Sequence, residues 1–323
     1  VYLNAAQNSL NLLAVPGELT VPFNGETASL AHCYGAAGPA RCRQALLEVL
    51  GLPEDMLYLA LSPAVLEKTK ATIRRLGLDA LIVVGGDGSQ STALLLSEIG
   101  LPVVGVPKTI DNDLGATDVT FGFYSAVSIV SESLDRLETT ANAHQRMMVV
   151  EVMGRHAGWI ALEGGIAGSA DVILLPEIPF SLENVVECIK ARKAAGQREI
   201  LVVVSEGARL ADELVLLDEK TQGEVRLGGI GKVIAKKLEE ATGIETRSCV
   251  LGHIQRGGSP TAVDRILASR MGEAAIEAIL DGQRNVMIGT MNGKIVYVPF
   301  AKAIKHDKGI DRGALELVKI LSI

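Results

Sequence analysis

The sequence lacks the features that mark membrane, secreted and metal-cage proteins. No apolar run reaches the roughly 18 residues that a membrane span needs, although 48% of the 323 residues are hydrophobic. The cysteines show neither the spacing of a metal site nor that of a disulfide framework, which is typical of cytosolic thiols. They are Cys33, Cys42, Cys188 and Cys249. No basic segment followed by an apolar core indicates a signal peptide. These absences predict a cytoplasmic location.

Positive charge is also scarce. Lys and Arg total 31 against 38 Asp and Glu, so the formal net charge is −7. A net negative chain argues against general binding to nucleic acid or to a membrane surface, but it permits a local basic pocket for an anionic metabolite. A length of 323 residues is enough for two domains with buried cores.

Two apolar segments that end in polar tips dominate the sequence. The first begins at Leu81 and reads LIVVGGDGSQ, and the second ends at Asp113 and reads LPVVGVPKTIDND. If both are buried parallel strands, their tips lie at one sheet edge, where open α/β folds bind ligands. Asp87 offers a hard oxygen for Mg²⁺ between glycines that let a phosphate approach, and Asp111 is a candidate base for an attacking hydroxyl. Taken alone, Gly-Asp-Gly could also be a plain tight turn.

Strands and helices alternate through the rest of the chain, which predicts stacked βαβ units with mainly parallel sheets. Residues 1 to about 55 show no sustained period, and the basic pair Arg41 and Arg43 could face a phosphate or simply open a solvated helix. We expect a helix after Ser62-Pro63, helices near 90–98, 119–141 and 229–241, strands at 80–84, 102–106, 146–152, 171–175, 199–204 and 247–251, and a hairpin at 285–299 that turns at Asn292-Gly293.

Several polar side chains stand at or beyond the ends of apolar strands. Glu206 could accept hydrogen bonds from sugar hydroxyls or cap a turn, and His253 could donate to a phosphate or be structural. Arginine binds phosphate through a planar fork, so a group of strand-end arginines favours a sugar phosphate, although each one alone could form a surface ion pair. The arginines are Arg146, Arg155, Arg247 and Arg256.

In this order, the motifs resemble those of the 6-phosphofructokinase family. They are GGDGS, PKTIDNDL, HQRMMVVEVMGRHAGWIAL, SEGA and ETRSCVLGHIQRGGSPTAVDRILASRMG. The resemblance runs from about residue 62 to the end of the chain. It implies the glycolytic, Mg²⁺-dependent transfer of a phosphoryl group from ATP to the 1-hydroxyl of fructose 6-phosphate, which gives fructose 1,6-bisphosphate. It also implies a homo-oligomer, either a dimer or a homotetramer with shared active sites.

The resemblance further implies two similar Rossmann-like, three-layer α/β domains with the active site in the cleft between them. The donor-side domain would comprise residues 1–122 and 255–305. The sugar-phosphate-side domain would comprise residues 123–254 and 306–323.

Site residues follow from the resemblance position by position. Thr109, Asp111 and Arg155 would be catalytic, with Asp111 as the general base and Arg155 stabilising the transferred group, and Asp87 would hold Mg²⁺. The donor phosphates would contact Gly86, Asp87, Gly88, Ser89 and Lys108. Fructose 6-phosphate would contact Met153, Gly154, Glu206, His253 and Arg256 of one subunit, and Arg146 and Arg247 of another.

The donor itself depends on two positions. In the family, glycine at position 88 goes with ATP and aspartate goes with pyrophosphate, because a carboxylate there would repel the α-phosphate of ATP. Lys108 instead resembles the pyrophosphate-dependent branch. A lysine contacts pyrophosphate without excluding ATP, so Gly88 favours ATP and pyrophosphate is the alternative donor.

Two departures from the family pattern qualify these expectations. The opening Gly-Gly-Asp-x-Pro-Gly loop and the arginine-bearing loop after it are not recognisable, which motivates a second hypothesis: a catalytically weak subunit that binds sugar phosphate. Glu138 stands where regulated bacterial relatives place an effector-binding arginine, which argues against control by ADP or phosphoenolpyruvate. A third reading, an NAD or diacylglycerol kinase, does not explain the paired MGR and GHIQRGG motifs.

Overall fold

The structure is a computed structural model. It describes residues 63–210 and 228–304, four short strands within residues 2–29, and residues 308–310, 313 and 315. The predicted basic pair at Arg41 and Arg43 lies outside the described residues. By contacts the chain divides into two units. The first unit comprises Val1–Thr109, Leu114–Asp118 and Ala268–His306, and the second unit comprises Ile110–Asp113, Val119–Leu267 and Asp307–Ile323.

The first unit is built on a mainly parallel sheet. Strand β5 lies parallel to both β1 and β6, and β6 also pairs in parallel with β12. The strand order is β13-β12-β6-β5-β1-β2. The strands are β1 (Tyr2–Asn4), β2 (Asn11–Leu12), β5 (Leu81–Gly85), β6 (Val103–Thr109), β12 (Val286–Met291) and β13 (Lys294–Pro299), and a separate hairpin joins β3 (Thr20–Phe23) to β4 (Glu26–Ser29).

Helices of the first unit begin and end where local sequence dictates. Helix α1 (Pro63–Arg75) begins at the predicted proline, and Gly77 follows it at φ +63°. Helix α2 (Asp87–Glu98) begins three residues before the predicted start, because the GDGS tip itself forms the first helical turn. The predicted hairpin is confirmed, since Asn292 and Gly293 both have positive φ between β12 and β13.

A four-stranded parallel sheet organises the second unit in the order β11-β8-β10-β9. Strand β8 is buried on both faces, as expected for a parallel strand between two helical layers. Met147 and Val149 pack with helices on one face, while Val150 and Val152 pack with helices on the other. The strands are β8 (Met147–Val152), β9 (Val172–Leu174), β10 (Ile200–Ser205) and β11 (Thr246–Val250), and β7 (Phe121–Gly122) precedes them in the chain.

The helices of the second unit form the two outer layers. Residues of α3 and α4 share one hydrophobic cluster with the sheet, and residues of α5 and α6 share the other. Ser181 caps the N-terminus of α5, because its hydroxyl accepts a hydrogen bond from the Asn184 N–H at 3.1 Å. Helix α3 begins at residue 123 rather than 119, because Gly122 has φ +106°, which a helix does not continue through. The helices are α3 (Phe123–His144), α4 (Trp159–Ala167), α5 (Leu182–Ala194) and α6 (Ile230–Thr242), with a 3-10 helix at Gly252–Arg256. Helix α7 (Ala262–Leu280) begins in the second unit and ends in the first, and α8 (Phe300–Ala303) belongs to the first unit.

The predicted fold class, α/β with mainly parallel sheets, is confirmed. Within the described ranges, no helix combines the length and hydropathy needed to span a bilayer. The domain boundaries at residues 122, 254 and 305 stay predictions.

Candidate active site

The GGDG tip and the Pro107-Lys108-Thr109 part of the second tip lie side by side in the first unit. Strands β5 and β6 are parallel and in register, with Gly85 opposite Pro107. A Cβ atom added to Gly86 would lie 3.1 Å from Thr109 Cβ and 3.4 Å from Thr109 Oγ1. The GGDG tip therefore contacts the PKT tip closely, and glycine at position 86 is what permits the contact.

The GGDG tip is suited to a phosphate because it opens a helix. Gly86 is the N-cap residue of α2 and provides no side-chain cap, so the helix end is left to main-chain N–H groups. Helix N-termini attract anions through these groups and through the helix dipole. Asp87 and Gly88 are exposed in the first turn, and a Cβ atom added to Gly88 would meet nothing within 4 Å. The space at position 88 is open, as close approach of a donor requires.

Ser89 and Lys108, also predicted donor contacts, differ in their surroundings. Lys108 is half-buried near the end of β6. Ser89 is 1% exposed, and its hydroxyl oxygen would lie 2.1 Å from a Cβ atom on Gly85. Among the described residues this hydroxyl has no hydrogen-bond partner. A donor role for Ser89 stays a prediction.

Gln90 is a structural residue of this tip that sequence reasoning missed. Its side-chain Nε2 donates to the carbonyl oxygen of Gly85 at 2.9 Å and to that of Val106 at 3.1 Å, so it ties β5 to β6 just below their ends. The glutamine is fully buried. Gly105 was the available signal, because a Cβ atom on this glycine in a valine-rich strand would lie 2.1 Å from Gln90 Oε1.

In the second unit, Glu206 holds the loop that carries Met153, Gly154 and Arg155. Its Oε1 accepts hydrogen bonds from the Gly154 N–H at 3.2 Å and the Arg155 N–H at 3.0 Å. The loop is unusual, since φ is +140° at Gly154 and +53° at Arg155. Burial raises the pKa of Glu206 above its ordinary value, the charges of Asp111 and Glu151 add to this rise, and the two N–H donors oppose it.

Gln255, missed by sequence reasoning, joins the same loop to the 3-10 helix. Its Oε1 accepts from the Met153 N–H at 3.3 Å, and its Nε2 donates to the Gly252 carbonyl at 3.0 Å. Gln255 is 1% exposed, whereas His253 and Arg256, on the same 3-10 helix, are exposed. The helix thus turns the two predicted sugar-phosphate residues toward solvent while its glutamine holds the loop.

Asp111 lies in the first segment of the second unit, Ile110–Asp113, and is buried, 8% exposed. The next residue, Asn112, has φ +53°, and its side-chain Oδ1 accepts from the Thr120 N–H at 3.1 Å. The charge of Asp111 contributes to the raised pKa of Glu206, and both residues belong to the second unit. The predicted base and the predicted sugar contact therefore belong to the same unit.

Arg146 and Arg247 lie at the opposite edge of that sheet. Arg146 precedes β8 and Arg247 lies near the start of β11, whereas Arg155 follows the far end of β8. Strand β8 has six residues, which at ~3.3 Å per residue separates its ends by about 20 Å. Glu245, another residue that sequence reasoning missed, forms ion pairs with Arg146 at 2.9 Å and with Arg247 at 2.6 Å. Within one chain, these two arginines are not brought to the residues that surround Glu206.

A Mg²⁺ ion with a phosphate ligand fits the donor tip better than an all-protein metal cage would. Among the residues that the structure describes, no group of three or more His, Cys, Asp or Glu is arranged to hold a metal. Mg²⁺ commonly takes only one or two carboxylates together with phosphate oxygens and water. The exposed carboxylate of Asp87, beside the open space at Gly88, suits that mode.

Comparison with known proteins identifies the class to which this fold and these residues belong. The family model described as "Phosphofructokinase" matches residues 56–279. The structure aligns with the crystal structure of pyrophosphate-dependent phosphofructokinase from Marinobacter aquaeolei at a TM-score of 0.66 and 27% identity, over 79% of this chain and 70% of that one. It aligns with phosphofructokinase from Saccharomyces cerevisiae at a TM-score of 0.62 and 34% identity, over 77% of this chain and 34% of that one. The chain belongs to the phosphofructokinase family.

Curated relatives carry names for both phosphoryl donors. The ATP-dependent 6-phosphofructokinase of Chloroflexus aurantiacus is 51% identical over 234 residues, which cover 72% of this chain and 65% of that protein. The pyrophosphate--fructose 6-phosphate 1-phosphotransferase of Streptomyces coelicolor is 49% identical over 259 residues, which cover 79% of this chain and 75% of that protein. The aligned part thus spans just under two thirds of the Chloroflexus relative's length. Identity alone does not separate the two donors.

Proposed function

We propose that the protein is an ATP-dependent 6-phosphofructokinase, which transfers the terminal phosphoryl group of ATP to the 1-hydroxyl of fructose 6-phosphate. The observation that carries the proposal is the contact of Gly86 with Thr109, since it joins the phosphate-type tip of α2 to the strand that leads into Asp111. The family membership and the relatives named for this reaction support it.

In the proposed reaction, the Asp111 carboxylate accepts the proton of the 1-hydroxyl as its oxygen attacks the terminal phosphorus. A new O–P bond forms, the bond from that phosphorus to the bridging oxygen breaks, and ADP leaves with the electron pair. The Arg155 guanidinium stabilises the charge on the transferred group, and Thr109 adjoins it. Asp87 would hold Mg²⁺, which when bound offsets the negative charge of the donor phosphates.

The residues around Glu206 would bind the acceptor. Glu206 fixes Gly154 and Arg155 through their main-chain N–H groups, and Gln255 fixes Met153. The exposed side chains of His253 and Arg256 are then available to the 6-phosphate. Arg146 and Arg247 would serve the acceptor of a partner subunit, a role supported by their place at the opposite edge of the sheet. This assignment requires a homo-oligomer, a dimer or a tetramer.

Pyrophosphate is the second candidate donor, favoured by Lys108 and by the relatives named for that donor. ATP is preferred because glycine leaves open space at position 88. The test is a coupled assay of the purified chain with fructose 6-phosphate and Mg²⁺, in which kcat/KM is measured separately for ATP and for pyrophosphate. A higher value with ATP supports the proposal, and turnover with pyrophosphate alone overturns the assignment of the donor. Binding of fructose 6-phosphate without turnover with either donor favours the catalytically weak subunit.

A further inference from the structure

A lysine from the end of the chain reaches the loop that follows Asp111. Lys308 Nζ donates to the side-chain Oδ1 of Asn112 at 3.0 Å, although 196 residues separate the two in sequence. The main-chain N–H of Lys308 donates to the Asp113 carbonyl oxygen at 3.3 Å. Lys308 therefore bonds to both of the two residues that follow Asp111, to Asn112 through its side chain and to Asp113 through its main chain. All of these residues belong to the second unit.

Trp159 fixes Lys308 in place. The indole Nε1 donates to the Lys308 carbonyl oxygen at 2.8 Å, and the Lys308 ammonium lies 5.1 Å from the centre of the indole ring, within the range of a cation–π interaction. Trp159 is buried at the start of α4, and Ile310 packs against the same hydrophobic cluster. The lysine is thus anchored to the core of the unit.

Asn112 is the residue through which this anchor acts on the loop. Its φ of +53° lies in the left-handed region, which asparagine adopts more readily than most residues but still holds only with support. Its buried Oδ1 accepts from both the Thr120 N–H and the Lys308 ammonium. Two donors on one buried oxygen fix the side chain, and the backbone turn at Asn112 sets the direction in which the chain leaves Asp111.

We propose that Lys308 is a positioning residue for phosphoryl transfer: it holds Asn112 in its left-handed turn and thereby orients the Asp111 carboxylate. The effect on turnover rests on the proposed function, whereas the effect on the loop does not. Lys308 stands outside every motif that the sequence analysis singled out. It acts through Asn112, so its loss alters the proton-accepting step more than substrate binding.

The kinetic test compares Lys308→Met with Lys236→Met, a control at an exposed lysine of α6. We expect Lys308→Met to lower kcat by about 10- to 100-fold, the range that a misplaced catalytic group produces. The KM for fructose 6-phosphate is expected to stay within about threefold, because the acceptor contacts are untouched. The control is expected to keep the kcat of the unaltered protein. An unchanged kcat in Lys308→Met, or a loss confined to KM, overturns the proposal.

A double-mutant cycle tests whether Lys308 acts through Asn112. Asn112→Gly keeps a residue that tolerates positive φ and removes the acceptor of the lysine. If the proposal holds, Lys308→Met lowers kcat little further in the Asn112→Gly background, so the two effects are not additive. Independent, additive losses in kcat show that Lys308 acts by another route and overturn the proposal.

Two measurements report on the anchor without any turnover. Trp159 is the single tryptophan of the chain, so acrylamide quenching of its fluorescence reports whether residue 308 still covers it. Hydrogen exchange of the peptide 107–122 reports on the loop. Lys308→Met is expected to raise the efficiency of acrylamide quenching and the hydrogen-exchange rate of the peptide. An unchanged exchange rate overturns the proposal. If the unaltered protein has no turnover with either donor, the proposed function fails, while exchange and quenching still decide whether Lys308 holds the loop.

Discussion

Removal of the Glu206 side chain should destabilise the protein and impair turnover together. Glu206→Ala deletes the acceptor of two main-chain N–H groups, at 3.2 Å from Gly154 and 3.0 Å from Arg155. Gly154 is buried, so its N–H is left without an acceptor at a cost of ~1–3 kcal/mol, whereas water can replace the bond at exposed Arg155. The desolvation that raises the pKa of Glu206 offsets part of this cost. We expect a net loss of about 2 kcal/mol in the free energy of unfolding.

Glu206→Gln is the matched variant, because the amide keeps an oxygen that can accept both bonds but carries no charge. The pKa of Glu206 is raised in the folded state, so the folded protein binds this proton more tightly than the unfolded chain does. The contribution of Glu206 to stability therefore falls as pH rises from its ordinary pKa of 4.5 through the raised folded value. The glutamine variant lacks this loss and should gain stability relative to the unaltered protein across that interval.

Urea unfolding followed by circular dichroism measures both effects, and steady-state kinetics measures the loop. We expect Glu206→Ala to raise the KM for fructose 6-phosphate and to lower kcat, since Arg155 is no longer held. Refutation is direct: if Glu206→Ala unfolds at the same urea concentration as the unaltered protein and keeps its kinetics, other contacts hold the loop.

Three further substitutions test other parts of the account. Asp111→Ser should lower kcat by about 10²- to 10⁴-fold without abolishing fructose 6-phosphate binding, and full turnover would remove Asp111 from its role as base. Gly88→Asp should fold normally, since an added Cβ meets nothing within 4 Å. The new carboxylate should repel ATP, so the variant should lose ~1–4 kcal/mol in transition-state stabilisation with ATP but keep any activity with pyrophosphate. Equal losses with both donors would contradict this. Gly231→Ala should destabilise the protein by ~1–3 kcal/mol in urea unfolding, because its Cβ would lie 2.9 Å from Glu151 Cβ, whereas the control Gly272→Ala meets nothing and should be neutral or stabilising.

The elements of the fold were predictable where the pattern was local. The run RMMVVEV is apolar on both faces of an extended chain, so it indicated a buried parallel strand, and β8 is one. Asn292-Gly293 indicated a two-residue hairpin because both residues tolerate positive φ, and they adopt it. The start of α2 was missed because GDGS reads as a turn, whereas the glycine N-cap lets these residues form the first helical turn.

The chemical types of the candidate site residues were predictable from the sequence, but the residues that hold them in place were less so. Glycines and acids at strand ends indicated phosphate, metal and base, but the residues that hold them bond to partners far away in the chain. Gln255 meets Met153 across 102 residues, and Lys308 meets Asn112 across 196. No periodicity or spacing within a local window encodes such pairs, because only the packed fold brings them together.

Product analysis tests the central claim most directly. The purified chain is incubated with ATP, Mg²⁺ and fructose 6-phosphate, and phosphorus NMR follows the terminal phosphoryl group. The account predicts a new phosphomonoester on C1 of the sugar, formed with an equal amount of ADP, in the unaltered protein and its near absence in Asp111→Ser. Release of inorganic phosphate without fructose 1,6-bisphosphate, or no product with either ATP or pyrophosphate, would contradict it.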